Sequence, residues 1–471
     1  MSMRIEPGAV IDGYRLEELI HQGSMATLWR VSAPDQPFLV MKMPLLREGD
    51  DPTAMVGFEV EQMIMPGLQG PHVPRFIGSA DFTAQPYIVM ELIRGDSLRP
   101  RLEKAPLDPE EVTRIGALIA SALHALHRQH VIHLDLKPSN VMIRENGEAV
   151  LIDFGFSRHD RLPDLLAEQF RLPMGTAPYI SPEQVLRIRN DPRSDLFALG
   201  AILYHLITGE RAFGFPSTLT GLRKRLYRDP IPPRARNPSC PEYLQEIILR
   251  CLEPDPANRY QSAAQVLLAL RNPGQVALTD RARKLRQDGC LAVTRRWMRS
   301  LGTQPAGWQS TALQIARSPV VVAALDLRGS SEALLGSLRT VTERVLTMHP
   351  GARLACVTVL RTSRLAIDFT VDEEGRNLRV LRLVELKHWA RPLGLGEERV
   401  TYHVLEGPEA ASSIIDFARE NHVDHVVLGA RGASTLRRYL GSVSAQVVAE
   451  SPCTVTVVKV PHPEDEGVET S

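Results

Sequence analysis

The chain has 471 residues, 44% of them hydrophobic and 23% charged, with a formal net charge of zero at pH 7. That length exceeds one ordinary domain, and the composition is typical of globular protein. The balanced charge removes any bulk electrostatic case for nucleic acid or a membrane surface as partner, and no apolar run reaches the roughly 18 residues a spanning helix needs.

In chain order, YRLEELIHQGSMATLWRV reads as a first strand leading into a loop at Gly23. FLVMKMP then places Lys42 in an apolar run, where an ammonium without a counter-charge is costly. Its partner is expected on the helix GFEVEQMIMPGLQG, which offers Glu61 and, as the alternative, Glu59. After PYIVMELIRGDSL comes VIHLDLKPSNVMI, which gathers Asp135, Lys137 and Asn140 on one short loop, and LIDFGFSR, in which Asp153 opens the next turn. Moving a phosphoryl group from ATP needs a carboxylate near the attacking hydroxyl, a cation at the γ-phosphate and oxygen ligands for Mg²⁺, and these four side chains supply all three. A lone Asp could simply cap a turn. The whole set in this order and spacing points to chemistry.

These motifs resemble the eukaryotic-type Ser/Thr protein kinases found in bacteria. The resemblance implies an α+β bilobal fold over residues 13–272, with Mg-ATP (or Mn-ATP) as phosphoryl donor and protein Ser/Thr hydroxyls as acceptors. Asp135 becomes the catalytic base, and Lys137 marks Ser/Thr rather than Tyr specificity. Lys42 holds the α- and β-phosphates with Glu61 as its partner, and Asn140 and Asp153 hold the metal. Gly23 lies in the phosphate-covering loop, where His21 and Ala26 replace the family's other two glycines and stiffen it. Met90 resembles the gatekeeper, the backbone of Glu91 and Ile93 the adenine-binding hinge, and Leu28, Val40 and Met142 the purine sandwich, although each apolar residue could equally be core. In GTAPYISPEQ, Thr176 is expected to contact the catalytic loop and Glu183 to pair with Arg259. Asp195 of SDLFALG should anchor that loop from a buried helix. One departure concerns regulation. The arginine that receives an activation-loop phosphate is Leu134 here, and residues 156–175 contain no Thr or Tyr and a single Ser, Ser157. Loop phosphorylation, which works by creating Arg contacts, looks closed.

Residues 273–317 read as a basic linker. From Arg281 to Arg299 there are seven Lys/Arg against one acid, Asp288, with Leu285, Leu291, Val293 and Trp297 interleaved, a pattern that predicts an amphipathic helix. It is read as a helix laid against a neighbouring domain, with a nucleic-acid or membrane patch as the alternative.

Residues 318–461 alternate strand and helix. PVVVAALD, ARLACVTVLR, DHVVLGARG and CTVTVVKV read as strands, and SEALLGSLRTVTERVLTMH and AASSIIDFARENH as helices. Apolar strands separated by helices imply a doubly wound parallel sheet covered on both faces. GARGASTLRRYLGSVSAQVV resembles the universal stress protein family, whose ATP-binding members carry a G-x-x-G, spacer, G-[ST] pattern. Gly429 and Gly432 match the first pair and Gly441 and Ser442 the second, with a spacer one residue short, and Asp326 matches the acidic residue after the first strand. The resemblance implies a second ATP or other nucleotide, since loop amides after a strand suit phosphate. In the alternative, the glycines only make the turn. A homodimer through this domain is a further expectation.

The five cysteines, Cys240, Cys251, Cys290, Cys356 and Cys453, form no CxxC pair. They fit reduced thiols in a cytoplasmic protein, and MSMRIEPGAV lacks the basic start and apolar core of a signal peptide. The expected protein is a cytoplasmic Ser/Thr kinase with a nucleotide-responsive second domain. The alternatives are a pseudokinase scaffold and a small-molecule kinase on the same fold.

Overall fold

The computed structural model describes residues 5–23, 25–34, 36–45, 52–83, 85–302, 318–349, 351–361, 377–430 and 441–459. The first lobe is a sheet of β1 (Val10–Ile11), β2 (Tyr14–Gln22), β3 (Ala26–Ala33), β4 (Gln36–Pro44), β5 (Phe76–Ala80) and β6 (Tyr87–Glu91), in the order β1-β2-β3-β4-β6-β5 and antiparallel throughout. Side chains alternate across such a sheet. Leu39, Met41 and Met43 therefore pack with Trp29 and Val31 on one face, while Val40 and Ile88 join the core that contains helix α1 (Pro52–Ile64). Lys42 shares the parity of Val40, so β4 directs it toward α1.

The second lobe is helical. Helix α2 (Pro109–His127) starts where the Asp108 carboxylate accepts the Glu110 amide, with a proline in its first turn. It buries Val112, Ile115, Ile119, Leu123 and Leu126, an i, i+3, i+4 stripe. Helix α3 (Leu165–Gln169) is a short turn between Asp153 and Thr176, and α4 (Arg193–Thr208) and α5 (Glu242–Cys251) complete the core. Helix α4 is buried nearly all round and stops at Gly209, whose φ of 75° suits a left-handed cap.

The linker departs from the single expected helix. It forms one turn at Asp280–Arg283 and then, beyond Gly289, helix α6 (Cys290–Gly302). The break falls where Lys284 and Arg296 converge on Asp288 and on Asp229 of the second lobe. Arg281 meets Glu246 at 3.4 Å and Glu253 at 2.7 Å. Charge docks the linker, and its apolar side chains Leu285, Leu291 and Trp297 stay exposed.

The C-terminal part is β7 (Val320–Ala324), α7 (Glu332–Met348), β8 (Arg353–Arg361), α8 (Leu378–Ala390), β9 (Val400–Gly407), α9 (Ala410–Glu420), β10 (His425–Gly429), α10 (Ser442–Glu450) and β11 (Thr454–Val458). The sheet is wholly parallel, in the order β9-β8-β7-β10-β11. Alternate residues serve opposite faces: Val321 and Ala323 pack with α7 and α8, Val320 and Val322 with α9 and α10. The molecule is a bilobal α+β unit followed by a doubly wound α/β sheet. Helix α8 and strand β9 are additions to the elements read from sequence. Among the described residues no helix is long and apolar enough to cross a membrane.

Candidate active site

Lys42 Nζ lies 2.5 Å from Glu61 Oε2 and 2.8 Å from Asp153 Oδ1. Glu61 rather than Glu59 is thus the partner, and its second oxygen accepts the Phe154 amide at 3.4 Å. Burial alone would lift the Asp153 carboxyl, but the adjacent ammonium overrides it and holds the group at about 2. Burial works against the Lys42 charge, and Asp153 and Glu61 together hold its pKa above the ordinary range. Glu61 is pushed up by burial, with Lys42 opposing. Asp153 takes a left-handed φ of 67°, an uncommon conformation for a residue other than glycine.

The loop carrying Asp135 is held from several sides. Asp195 on α4 accepts the amides of His133 and Leu134, each at 2.9 Å, and its carboxylate lies 2.8 Å from His127 Nε2. Burial would raise this carboxyl, and His127 with the His133 amide brings it below the ordinary range. Gln184 Nε2 donates to the Leu134 carbonyl at 2.7 Å. The short ladder of Val141–Arg144 with Ala149–Leu151 and Gly95–Ser97 fixes the residues after Asn140.

Asp135 is buried, and its carboxylate is held by Lys137, Thr176 and, at 3.4 Å, Asn140 Nδ2. Lys137 Nζ donates to Oδ2 at 2.7 Å, while the amide and hydroxyl of Thr176 donate to Oδ1 at 2.8 and 2.7 Å. Asn140 Nδ2 donates to the Asp135 carbonyl at 3.1 Å, and its amide oxygen accepts the Ser139 hydroxyl at 3.3 Å. An amide oxygen and a strongly ionised carboxylate suit Mg²⁺, which keeps phosphate oxygens and water as its other ligands. Glu183 and Arg259 form a buried bidentate pair at 2.6 and 2.8 Å.

At the lobe junction, β-register sets Leu28 opposite Lys42, and Val40 opposite Met90. Met142 and Leu28 are partly exposed while Val40 and Met90 are buried. Glu91, at the end of β6, is clamped by Arg144 at 2.5 and 3.1 Å, which lowers its carboxyl, and Ile93 lies two residues further on, after Leu92. Gly23 donates its amide to the Ala26 carbonyl at 2.9 Å between β2 and β3. A Cβ there would make ordinary contacts.

In the C-terminal part, Asp326 and Gly429 lie just beyond and at the ends of β7 and β10, where the strand order reverses. Crevices at such switch points are where open α/β sheets bind ligands. Asp326 Oδ1 accepts the Gly329 amide at 3.1 Å. A Cβ on Gly429 would stand 3.0 Å from Leu334 Cδ2, so close packing on α7 is one reason for that glycine. Gly441 caps α10 and Ser442 begins it. Gly432 lies outside the described residues.

Sequence reasoning passed over Gly57. It lies on α1 one turn before Glu61, so the two share a face, and a Cβ there would come within 3.1 Å of the Gly155 carbonyl oxygen. Its signal was a glycine inside a helix, a placement that costs about 1 kcal/mol relative to alanine.

Residues 14–269 match the protein kinase domain family, and residues 319–459 the universal stress protein family. The chain is 30% identical over 256 residues to a probable serine/threonine-protein kinase of Clostridium perfringens, an alignment covering 54% of this chain and 37% of that protein. It is 32% identical over 269 residues to the serine/threonine-protein kinase PknB of Mycobacterium tuberculosis, covering 55% and 42%. With the probable PknB of Lactococcus lactis the identity is 29% over 260 residues, covering 54% and 41%. The chain thus spans about two fifths of the length of these curated relatives. Members of such a family use ATP with a divalent metal and act on protein substrates. The chain belongs to the protein kinase family, and it carries a universal stress protein domain after the kinase domain.

Proposed function

We propose that the chain is a Ser/Thr protein kinase transferring the γ-phosphate of Mg-ATP (or Mn-ATP) to protein hydroxyls. The observation that carries this reading is Lys42 bridging Glu61 and Asp153 while the Asp135 carboxylate is held by Thr176 and Lys137. In this reading Asp135 accepts the proton of the incoming hydroxyl, and Lys137 offsets charge on the transferring group. Lys42, oriented by Glu61, holds the α- and β-phosphates. Asn140 and Asp153 hold the metal, which when bound neutralises charge on the phosphates. Gly23 covers the phosphates, Leu28, Val40 and Met142 enclose the purine, and the backbone of Glu91 and Ile93 hydrogen-bonds it. The proposed units are residues 13–272, 273–317 and 318–461.

The proposal extends to a second nucleotide at Asp326, Gly429, Gly432, Gly441 and Ser442, supported by the switch point between β7 and β10. It includes a homodimer through this domain, since the edge strand β11 is a template for pairing with a second copy. A cytoplasmic location is supported by five free cysteines.

Incubation of the purified chain with labelled ATP tests the kinase reading. Asp135→Ala and Asp153→Ala should each abolish autophosphorylation with the fold retained. Labelling that persists in both variants overturns it.

A further inference from the structure

The second domain sits on the two kinase elements whose placement phosphoryl transfer depends on. One is α1, which carries Glu61; the other is α3, in the segment between Asp153 and Thr176. Glu168 of α3 is 7% exposed. Its carboxylate pairs with the Arg353 guanidinium at the start of β8 and lies 3.1 Å from His403 Nε2 of β9. Burial would raise this carboxyl, and His403 and Arg353 hold it below the ordinary range, so it is an anion at neutral pH. The Glu168 carbonyl accepts Asn421 Nδ2 at 3.2 Å, and Gln169 Nε2 donates to the Val404 carbonyl at 3.0 Å. Arg171 pairs with Glu420 of α9. On the other element, Lys387 of α8 lies 3.4 Å from Glu59 of α1 and 3.5 Å from Asp81. The two glutamates of α1 thus face different partners: Glu61 meets Lys42 inside the site, and Glu59 meets the second domain.

An activation segment ordered by phosphorylation acquires an anion that Arg side chains then hold. This segment has no Thr or Tyr between residues 156 and 175, its one serine is buried, and the receiving position is the buried Leu134. It nonetheless contains a buried anion, Glu168, and the Arg353 guanidinium and His403 ring that hold it come from the second domain. We propose that Arg353 and His403, through Glu168, and Lys387, through Glu59, are positioning residues for phosphoryl transfer that do in cis what loop phosphorylation does elsewhere. The docked second domain is the activating arrangement, because it coexists with Lys42 in contact with both Glu61 and Asp153. This inference rests on the kinase reading.

The experiment uses the full chain and compares kcat and the KM for ATP in wild type, Arg353→Met, Glu168→Gln, the double variant, Arg353→Lys and Lys387→Met, with Asp135→Ala as the floor. Thermal unfolding of each reports folding. Coupling between sites typically spans roughly 5- to 150-fold, and that is the expected fall in kcat for Arg353→Met and for Glu168→Gln, with the KM for ATP little changed. Arg353→Lys should recover part of the loss. The double variant should be no worse than the poorer single, because both remove one interaction. Should Arg353→Met fail to fold, the isosteric Glu168→Gln reads the same pair, and Lys387→Met reads the other contact. Folded Glu168→Gln and Lys387→Met variants that keep the wild-type kcat overturn this inference alone, as do losses that multiply in the double variant. A wild-type chain no more active than Asp135→Ala overturns the kinase reading, and this inference with it.

Discussion

Gly57 of α1 and Gly155, two residues beyond Asp153, meet backbone to backbone, so that a Cβ on either would stand 3.1 or 3.2 Å from the other's carbonyl oxygen. Helix α1 and the turn that carries Asp153 are therefore in direct register, and the ion pair of Lys42 with Glu61 depends on that approach. Gly57→Ala gains about 1 kcal/mol of helix propensity and costs roughly 1–3 kcal/mol where packed backbone must yield. The net is a loss of about 0–2 kcal/mol, so the melting temperature should fall modestly. The rate should fall, because α1 moves off Gly155 and takes Glu61 with it. Steady-state kcat measured beside the thermal midpoint checks this; equal losses in both would indicate a purely structural glycine.

Ser157 is buried and donates to the His133 carbonyl at 3.1 Å. It is placed as a structural hydroxyl rather than an accessible phosphate acceptor. Ser157→Ala should cost about 0.5–1.5 kcal/mol of stability and leave activity close to wild type. A collapse in rate with an unchanged melting curve would show that the hydroxyl has a regulatory role.

The pair of Glu183 with Arg259 is almost fully enclosed, at 4% and 0% exposure. Removing one partner of such a pair leaves an uncompensated buried charge and typically costs about 3–5 kcal/mol. Arg259→Met should therefore lower the midpoint of the kinase transition sharply. Glu183→Met with Arg259→Met should lose less than the sum of the two single variants, because no lone charge remains. Calorimetry of the four proteins closes the cycle.

Asp195 sets an acid limit. Its carboxyl lies below the ordinary value of 3.8 in the folded chain, so its contribution is present above that value and lost as pH falls through the lowered one. Asp195→Asn keeps one acceptor oxygen and removes the titration. The variant should be less stable than wild type at neutral pH, with a shallower decline of the thermal midpoint as pH falls below 3.8. Parallel declines would mean that other carboxylates set the limit.

What could be read from the sequence follows the range of the contacts. Asp135, Lys137 and Asn140 lie within six residues, so their joint geometry is local and their spacing is informative. Lys42, Glu61 and Asp153 are far apart in the chain, but motif order placed each, and the structure joins them. Helix α8 is polar enough to hide its buried stripe of Leu383, Leu386 and Trp389, and β9 interleaves Thr401 and His403 among its apolar residues. Both escaped notice for that reason. The linker helix broke at Gly289 because ion pairs to Asp229 outweighed the periodicity of its apolar residues. Nothing in the pattern around Glu168 announced Arg353, since the partners belong to separately patterned domains.

The distance along the chain between Glu168 and Arg353 also has a temporal meaning. The two are 185 residues apart, and at about 5–20 residues per second of synthesis the carboxylate leaves the ribosome roughly 10–40 s before its guanidinium. The delay is longer in practice, because β7 pairs with β10, which begins at His425, and the sheet presenting Arg353 and His403 is incomplete until that strand arrives. A nascent kinase domain thus passes through an interval in which its Glu168 carboxylate lacks both Arg353 and His403.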